Sequence, residues 1–406
     1  MTRSESRPDV SLALSGAATL VLMALTLSAL RVPGTGDMEI WSRWLDNAMR
    51  LGVIGGFAEN NADYPPLASV ILWSTRHVVP AVTVTTPVAI KLSLAVFLGL
   101  AILLVFAWTG RRTLALGLWS ALLLNSVCLG YLDIYTAPFL VLSFHALSRA
   151  WHGRALSWFG LACLVKWQPG LIAPFLLWHV LASSGRVSAA DVRRVARMLV
   201  PIALVAVVLA LVVGVVPFVL AFGKSLGHRS LSADALNLGW LITWVLQGVT
   251  HGAQGLFDRV VYVANAPLWL RLLLKALFAG QFLWLLWRYV RGPAVFERTT
   301  AYAVLGFLAY IVFNNGVHEN HWFVPCLLSI VLVNTRPVWR WPAVAMCVMA
   351  NLNLLLFYGF TGQGPGASRV VGIDLTVPLA ALAIMLYAWM WNLVRRQDAR
   401  YSTIRQ

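Results

Sequence analysis

The segment at residues 36–67 opens with Gly36-Asp37-Met38-Glu39 and closes with Asp63-Tyr64-Pro65-Pro66-Leu67. It follows the first long apolar run of the chain, at residues 11–30. It contains five of the 15 acidic residues within a stretch of 27 positions, namely Asp37, Glu39, Asp46, Glu59 and Asp63. A lipid-facing segment has no use for such a cluster, because carboxylates are costly in a bilayer. The pattern therefore favours a catalytic carboxylate held at a membrane surface.

The composition around this segment is that of a helical membrane protein. The 406 residues are 60% hydrophobic and 11% charged, whereas soluble domains carry about 25% charged residues. The apolar residues form runs of about 15–25, the length that crosses a bilayer as a helix. The net charge of +16 comes from short arginine clusters between these runs. That is the pattern of cytoplasmic loops, and it argues against a nucleic-acid partner, whose binding site needs a continuous basic stripe.

The order of apolar runs predicts a single all-α integral-membrane domain, residues 1–406, with about twelve transmembrane helices and both termini cytoplasmic. The first span is expected at 10–31, a large extracytoplasmic catalytic loop at 33–85, and the remaining spans within 86–394, with an outer loop at 223–265 and a basic cytoplasmic tail at 395–406. Within 86–394 the expected spans are 86–109, 113–130, 135–150, 154–166, 169–184, 197–222, 266–289, 299–314, 321–335, 340–359 and 374–394.

Two shorter apolar stretches are expected to lie in the membrane interface rather than to cross it. The stretch 67–79 carries Arg76 and His77, and a buried arginine would be costly. Inside the first loop, an amphipathic helix is expected near 37–51, followed by a link rich in glycine and asparagine that contains Gly55-Gly56 and Asn60-Asn61. The stretch 237–250 is likewise expected to be re-entrant or interfacial.

With this topology, the polar motifs outside the arginine clusters all fall on the extracytoplasmic side. Beside the first loop they are Gly130-Tyr131-Leu132-Asp133, Lys166-Trp167-Gln168-Pro169, the loop 223–265 and Gly316-Val317-His318-Glu319-Asn320-His321. Each also has an ordinary structural explanation. Asp37 suits the N-cap of a helix. His318 and His321 are three apart, which suits a metal, but a hydrogen-bonding cluster is favoured over a metal site. Lys166, between two apolar runs, requires a partner.

These motifs resemble those of the GT-C glycosyltransferases. Gly36-Asp37-Met38-Glu39 followed by Asp63-Tyr64-Pro65-Pro66-Leu67 is similar to the acidic first loop of the endoplasmic-reticulum glucosyltransferases that extend the dolichol-linked N-glycan precursor. Bacterial polyprenyl-phosphate-mannose mannosyltransferases are also similar. Lys166-Trp167-Gln168-Pro169 resembles the family's Lys-Gln segment. Ala235-Leu236-Asn237-Leu238-Gly239-Trp240 resembles its Asn-Leu-Trp-Trp segment, with Gly239 departing, and Gly316-Val317-His318-Glu319 its Val-His-Glu-Lys motif, with Asn320 in place of the lysine.

The resemblance implies a GT-C-like fold, a polyprenyl-phosphate sugar donor and a catalytic aspartate in the first outer loop, which by position is Asp37. The expected partners are that donor, a lipid-linked or envelope-glycan acceptor and membrane lipids. One carboxylate acting as general base, without a second as nucleophile, predicts inversion at the anomeric carbon. The expected substrate-binding residues are Glu39, Asp63, Tyr64, Tyr131, Asp133, Lys166, Gln168, His228, Arg229, Asn237, Trp240, His318, Glu319 and His321. No cofactor is expected, and a divalent metal is left open but not favoured.

Two other functions were compatible with an apolar chain of this kind. A flippase or transporter of lipid-linked sugars predicts charged residues at mid-membrane and internal repeats, and no repeat is evident here. A non-catalytic scaffold has no need for Asp37, Lys166 and His318 on one side. The composition, rich in alanine and arginine and poor in lysine, favours a bacterial plasma membrane. The expected function is thus transfer of mannose or glucose, with the flippase as the alternative.

Overall fold

The computed structural model describes residues 10–80, 84–184, 187–364, 369–370 and 373–403. This part of the chain is helical, apart from the two-residue strands β1 (Arg369–Val370) and β2 (Ile373–Asp374). The helices are α1 Val10–Ala29, α2 Asp37–Asn60, α3 Pro66–Val78, α4 Thr86–Thr109, α5 Arg112–Leu123, α6 Ala137–Ser148, α7 His152–Val165, α8 Ala173–Leu181, α9 Ala189–Val213, α10 Val215–Leu226, α11 Leu238–His251, α12 Ala253–Phe257, α13 Leu268–Val290, α14 Phe296–Phe313, α15 Phe323–Val333, α16 Arg340–Tyr358 and α17 Thr376–Thr403.

Six helical segments in the described ranges are long and apolar enough to cross a bilayer. They are Thr86–Thr109, Ala189–Val213, Leu268–Val290, Phe296–Phe313, Pro337–Tyr358 and Thr376–Tyr401. Shorter apolar helices of 10–17 residues occupy much of the remaining predicted span positions. A membrane-embedded helical protein therefore fits the fold, while the count of twelve spans stays a prediction.

The segment between α1 and α4, predicted to be the first outer loop, folds as a helical hairpin and a third short helix. Inside α2 the backbone breaks at Gly52, whose φ of 74° is the left-handed conformation that favours glycine. The chain reverses there, so that the Asn60 side chain donates a hydrogen bond to the carbonyl of Trp44, 3.1 Å away. Gly56 packs directly on the backbone of Ala48, where a side chain would collide. The predicted link is therefore wrong at Gly55-Gly56, since those residues are helical and the break lies earlier, whereas at its other end the helix does stop at Asn60, with Asn61 as the left-handed C-cap.

The Asp-Tyr-Pro-Pro turn leads into α3 as the sequence indicated. Pro65 is extended and serves as the N-cap, and Pro66 is the first helical residue, where proline's fixed φ suits the helix and its missing N–H costs nothing. At the other end, the Arg76 guanidinium donates to the carbonyl of Val84 over 3.0 Å. This contact ties the end of α3 to the start of α4.

Three boundaries differ from the sequence prediction. The span expected at 197–222 is two helices, α9 and α10, because Gly214 adopts a φ of 91° between them. Helix α9 also begins earlier, at Ala189, where Ser188 and Asp191 form a reciprocal capping box. The tail expected from 395 onward continues α17 as a helix to Thr403. Within it, Asp398 accepts a hydrogen bond of 2.6 Å from the buried guanidinium of Arg298 on α14.

The core is centred on α14, in which almost every residue from Arg298 to Val312 is buried. Helices α13, α15 and α17 pack around it. Lys91 of α4 is also fully buried. Its ammonium donates to the carbonyl of Ala29 (3.0 Å), the last residue of α1, and to that of Cys128 (2.8 Å), the last residue of a π-helical turn after α5. One side chain thus joins the ends of two helices just before the loops that carry polar motifs.

Candidate active site

The polar motifs from five separate parts of the chain meet around one cavity of about 530 Å³. Two thirds of the predicted site residues line it: Asp37, Asp63, Tyr64, Tyr131, Lys166, Gln168, His228, His318, Glu319 and His321. Asp133 is buried behind the cavity lining, where its carboxylate accepts a hydrogen bond from the Lys166 ammonium. Contacts between distant segments create this convergence.

The loop before α2 is held against the loop at 129–131. The amide of Gly34 donates to the carbonyl of Thr361, and that of Thr35 to the carbonyl of Leu129, both over 3.0 Å. Met38, one residue after Asp37, packs on Gly130, which has a φ of 87° and no room for a side chain. Asp37 and Tyr131 therefore face the same cavity although they are 94 residues apart.

The opposite wall forms where the loop after α10 pairs with the loop after α14. The Ala233 amide donates to the carbonyl of Val317 over 2.9 Å, and the Gly316 amide to that of Leu231 over 3.2 Å. Gly316 has a φ of 62° and sits against the side chain of His228. A side chain at position 316 would therefore displace that histidine.

Asp37 is the first residue of α2, and Gly36 rather than Asp37 is the N-cap. The alternative of a capping aspartate is thus wrong. The half-buried Asp37 carboxylate makes no hydrogen bond or ion pair within the described part of the chain. Burial raises the pKa of Asp37 to about 6; the ammonium of Lys166 opposes this rise, and the carboxylates of Asp63 and Asp133 add to it. A free carboxylate with a pKa near neutrality has the properties of a general base.

Lys166 has the partner that its position required. Its ammonium lies 2.6 Å from the Asp133 carboxylate, and both side chains are about 4% exposed. The side-chain amide of Asn320 donates to the other Asp133 oxygen over 3.0 Å. The same ammonium stands 5.1 Å from the centre of the Tyr64 ring. Lys166 therefore presents an ammonium at the cavity wall as one half of a buried ion pair with Asp133.

The histidines form a hydrogen-bonding cluster. His228 Nδ1 and His318 Nε2 are 3.5 Å apart, and His321 contacts Gln168 at 3.2 Å and Tyr310 at 3.1 Å. Burial lowers the pKa of His228, and burial together with His228 and Lys166 lowers that of His318 to about 3. Both are neutral near pH 7 and act there as hydrogen-bonding groups rather than cations. Among the described residues, no group of three or more His, Cys, Asp or Glu side chains is arranged to hold a metal ion.

Aromatic rings form the remaining wall. Trp41 and Trp44 pack edge to face, with ring centres 4.7 Å apart, and each also contacts Tyr64, at 5.2 and 5.8 Å. Three buried polar atoms of cavity-lining residues, Trp41 Nε1, Gln168 Oε1 and Asn320 Oδ1, have no hydrogen-bond partner in the described ranges. The cavity thus offers flat apolar faces beside free polar groups, which suits a sugar ring.

Four predicted site residues lie outside this cavity. Glu39 and Arg229 are exposed to solvent or lipid. Asn237 is buried as the N-cap of α11, where its side chain accepts from the Trp240 amide over 2.9 Å. The Trp240 indole donates to Thr376 Oγ1 over 2.8 Å. Asn237 and Trp240 therefore hold α11 in place and do not line the cavity.

Among the cavity-lining residues that the sequence analysis did not predict are Asp234 and Tyr358. Asp234 accepts a hydrogen bond of 3.2 Å from the hydroxyl of Tyr358, the last residue of α16, and burial raises the pKa of Asp234. On the same wall, the Tyr131 hydroxyl donates to the buried Glu319 carboxylate. An available signal for Asp234 was that it is the only acidic residue between positions 223 and 257.

The fold and the site together describe a helical, membrane-suited protein with a carboxylate-bearing cavity between its interhelical loops. Searches of protein-family models and of curated proteins find no match to this chain. The function is therefore argued from the cavity.

Proposed function

We propose that the protein is a membrane glycosyltransferase that moves a hexose, mannose or glucose, from a polyprenyl-phosphate sugar to a hydroxyl group of a lipid-linked or cell-envelope glycan. The observation that carries this proposal is Asp37: a half-buried carboxylate without a partner, with its pKa raised to about 6, in a cavity with sugar-sized aromatic faces. The resemblance of the acidic first loop to GT-C glycosyltransferases supports the same residue.

In the proposed reaction, Asp37 accepts the proton of the acceptor hydroxyl as its oxygen bonds to the anomeric carbon. The bond from that carbon to the phosphate oxygen breaks, and the lipid phosphate leaves with the electron pair. Attack from the face opposite the phosphate inverts the anomeric centre. A positioned base contributes about 10²–10⁴-fold to such a step, and its pKa near 6 leaves it ionised at neutral pH.

The leaving phosphate develops negative charge, which donors in the cavity can stabilise. Lys166 is the cation on the wall, whereas Arg229, expected from the sequence to bind substrate, is exposed and outside the cavity. The neutral His228 and His318 serve as hydrogen-bond donors. Trp41 and Trp44 provide faces for the sugar ring, and the free Trp41 Nε1 and Gln168 Oε1 can bind its hydroxyl groups.

The proposed location is the bacterial plasma membrane, with the termini in the cytoplasm and the cavity on the extracytoplasmic side. The arginine clusters between apolar runs support this orientation. A donor carried on a lipid also needs no nucleotide-binding loop, and no glycine-rich phosphate loop of that type occurs in the sequence.

The test is transfer of labelled sugar from a panel of polyprenyl-phosphate sugars, with a natural lipid extract as acceptor, in membranes containing wild type, Asp37→Asn or Glu39→Gln. Glu39 is a matched control, because it is exposed and lies two residues away in the same helix. Consumption of one donor by wild type and Glu39→Gln, but not by Asp37→Asn, is the expected result. Full turnover by Asp37→Asn would refute the base assignment, and no turnover from any donor would refute the reaction.

The alternative function is a flippase of lipid-linked sugars, and one observation bears on it. Lys91 is a fully buried charge within a membrane-length helix, which a translocation pathway would favour. However, Lys91 lies in the second turn of α4 and is engaged with two helix-terminal carbonyls. Movement of labelled lipid-linked sugar between leaflets, without donor consumption, would favour the flippase.

A further inference from the structure

A second and larger cavity, of about 1160 Å³, lies away from the candidate active site. Helices α1, α5 and α16 form most of its walls. No residue lines both cavities. A packed cluster of Leu124, Leu129, Tyr131 and Leu354 borders both, with Leu124 on the large cavity and Tyr131 on the site.

Small side chains create this groove. On α5 they are Gly117, Ser120 and Ala121, spaced so that they share one helix face. On α16 they include Ala343 and Cys347, again one turn apart. A side chain added at Gly117 would meet no other atom within 4 Å, which shows that the space beside it is open.

The groove is apolar along its length. The polar side chain of Asn351 on its wall is already engaged, since its amide donates to the carbonyl of Ala121 over 3.1 Å and to that of Cys347 over 2.8 Å. The groove reaches from Arg111 to Cys128, a helical distance of about 25 Å. This is close to the hydrocarbon thickness of a bilayer, about 30 Å.

Two arginines stand at one end of the groove. Arg111 precedes the first residue of α5, and Arg340 is the first residue of α16. Both line the cavity and are exposed, and neither guanidinium has an ion pair or hydrogen bond within the described ranges. Two free guanidinium groups above an apolar channel are complementary to an anionic headgroup carrying hydrocarbon chains.

We propose that this groove binds an anionic phospholipid, with its phosphate between Arg111 and Arg340 and an acyl chain along α5. The arginine end is the membrane face at which α5 and α16 begin, so the lipid belongs to the leaflet on that face. The tail of a lipid-phosphate sugar acceptor or donor fits less well, because its phosphate would lie at the opposite end, near the active site. The proposal is independent of the proposed sugar transfer.

The experiment measures which lipids stay bound to the purified protein. Wild type is mixed with vesicles of equal amounts of phosphatidylglycerol and phosphatidylcholine, extracted in mild detergent, and weighed by native mass spectrometry. An arginine near a membrane surface contributes about 1 kcal/mol toward an anionic lipid, so the two arginines predict an enrichment of roughly 30-fold. The Arg111→Gln/Arg340→Gln variant should lose this enrichment, and Gly117→Leu, which fills the groove, should lose bound lipid of both kinds.

The matched control is Arg112→Gln/Arg149→Gln, which removes two exposed arginines that do not line the groove. It should retain lipid as wild type does. Equal retention of the two phospholipids by wild type, unchanged enrichment in Arg111→Gln/Arg340→Gln, or recovery of an isoprenoid lipid in place of the phospholipid would each overturn the proposal. Because Gly117→Leu leaves both arginines in place, it separates loss of the groove from loss of charge. Sugar transfer is not needed for any of these readouts.

Discussion

Replacing Asp37 with asparagine should stabilise the folded protein at pH 7.5 while removing its activity. The folded-state pKa of about 6 stands against an ordinary value of 3.8, so the ionised carboxylate is less favourable in the folded than in the unfolded chain. The difference of about 2 pKa units corresponds to about 3 kcal/mol at pH values above 6. Asparagine keeps the shape of the side chain without the charge.

One contribution to the free energy of unfolding, that of the helix dipole, acts in the opposite direction. Asp37 lies in the first turn of α2, where the helix dipole favours a negative charge by about 0.3–1 kcal/mol. The substitution loses that contribution but breaks no side-chain hydrogen bond, because Asp37 makes none in the described part of the chain. A net gain of about 2 kcal/mol remains. For a chain of this length, that gain raises Tm by about 2–3 °C.

The assay is thermal unfolding of wild type and Asp37→Asn in the same detergent at pH 7.5, 5 and 4. A carboxyl group with a raised folded-state pKa destabilises the fold once it ionises. The advantage of asparagine is therefore complete above pH 6, and it disappears as the pH falls toward 4, where the carboxyl group is protonated in the folded state. A lower Tm for Asp37→Asn at pH 7.5, or an equal gain at pH 4, would refute the reasoning.

The other predictions concern the neighbours of this carboxylate. Asp63→Asn should move the acidic limb of the transfer-rate profile, expected near pH 6, to lower pH, because the Asp63 charge raises the pKa of the base; an unmoved limb would contradict this. Lys166→Met should cost about 3–5 kcal/mol in chemical unfolding by leaving Asp133 unpaired, whereas Lys166→Met/Asp133→Leu should recover most of that loss; equal losses would contradict it. Gly316→Ala should reduce transfer by displacing His228, with an unchanged transfer rate as the contrary result.

The sequence predicted local features more successfully than the joints between them. Apolar runs located the long helices, and Pro65-Pro66 located the start of α3 within a residue. Apolar periodicity could not reveal the break at Gly214, because the apolar run continues on both sides of it. The signal in the sequence was Gly214 followed by Pro217, a combination typical of a helix end. The early start of α9 was missed for a related reason: its first turns are polar, and only the Ser188 cap signalled the helix.

In the candidate site, too, the sequence predicted local requirements but not the long-range contacts that meet them. That Lys166 requires a partner followed from the cost of burying an ammonium, and the pairing with Asp133 confirms it. The sequence did not show whether Asp133 or Asp63 pairs with Lys166. That choice depends on how the loops that carry these two carboxylates pack against Lys166. Asp234 adopts a φ of 57°, a conformation that non-glycine residues rarely take. Pairing of its segment with the loop at 315–318 places Asp234 in the cavity, and local sequence patterns do not reveal such a long-range contact.

Lys91 connects the buried bundle to the site, and this role can be tested. Lys91→Met leaves the carbonyls of Ala29 and Cys128 without their donor, at a cost of about 2–4 kcal/mol. Since the segments carrying Asp37 and Asp133 start from these two carbonyls, the ends of both helices should loosen.

The readout is the rate at which a maleimide labels Cys128, which is half-buried, in a background where the remaining cysteines, Cys163, Cys326 and Cys347, are alanine. Labelling should be faster in Lys91→Met than in an otherwise identical Lys275→Met control, whose lysine is exposed. Equal rates would mean that the helix ends are held by packing alone. Faster labelling, together with loss of transfer, would instead show that a charge buried among apolar helices fixes the geometry of the carboxylates outside them.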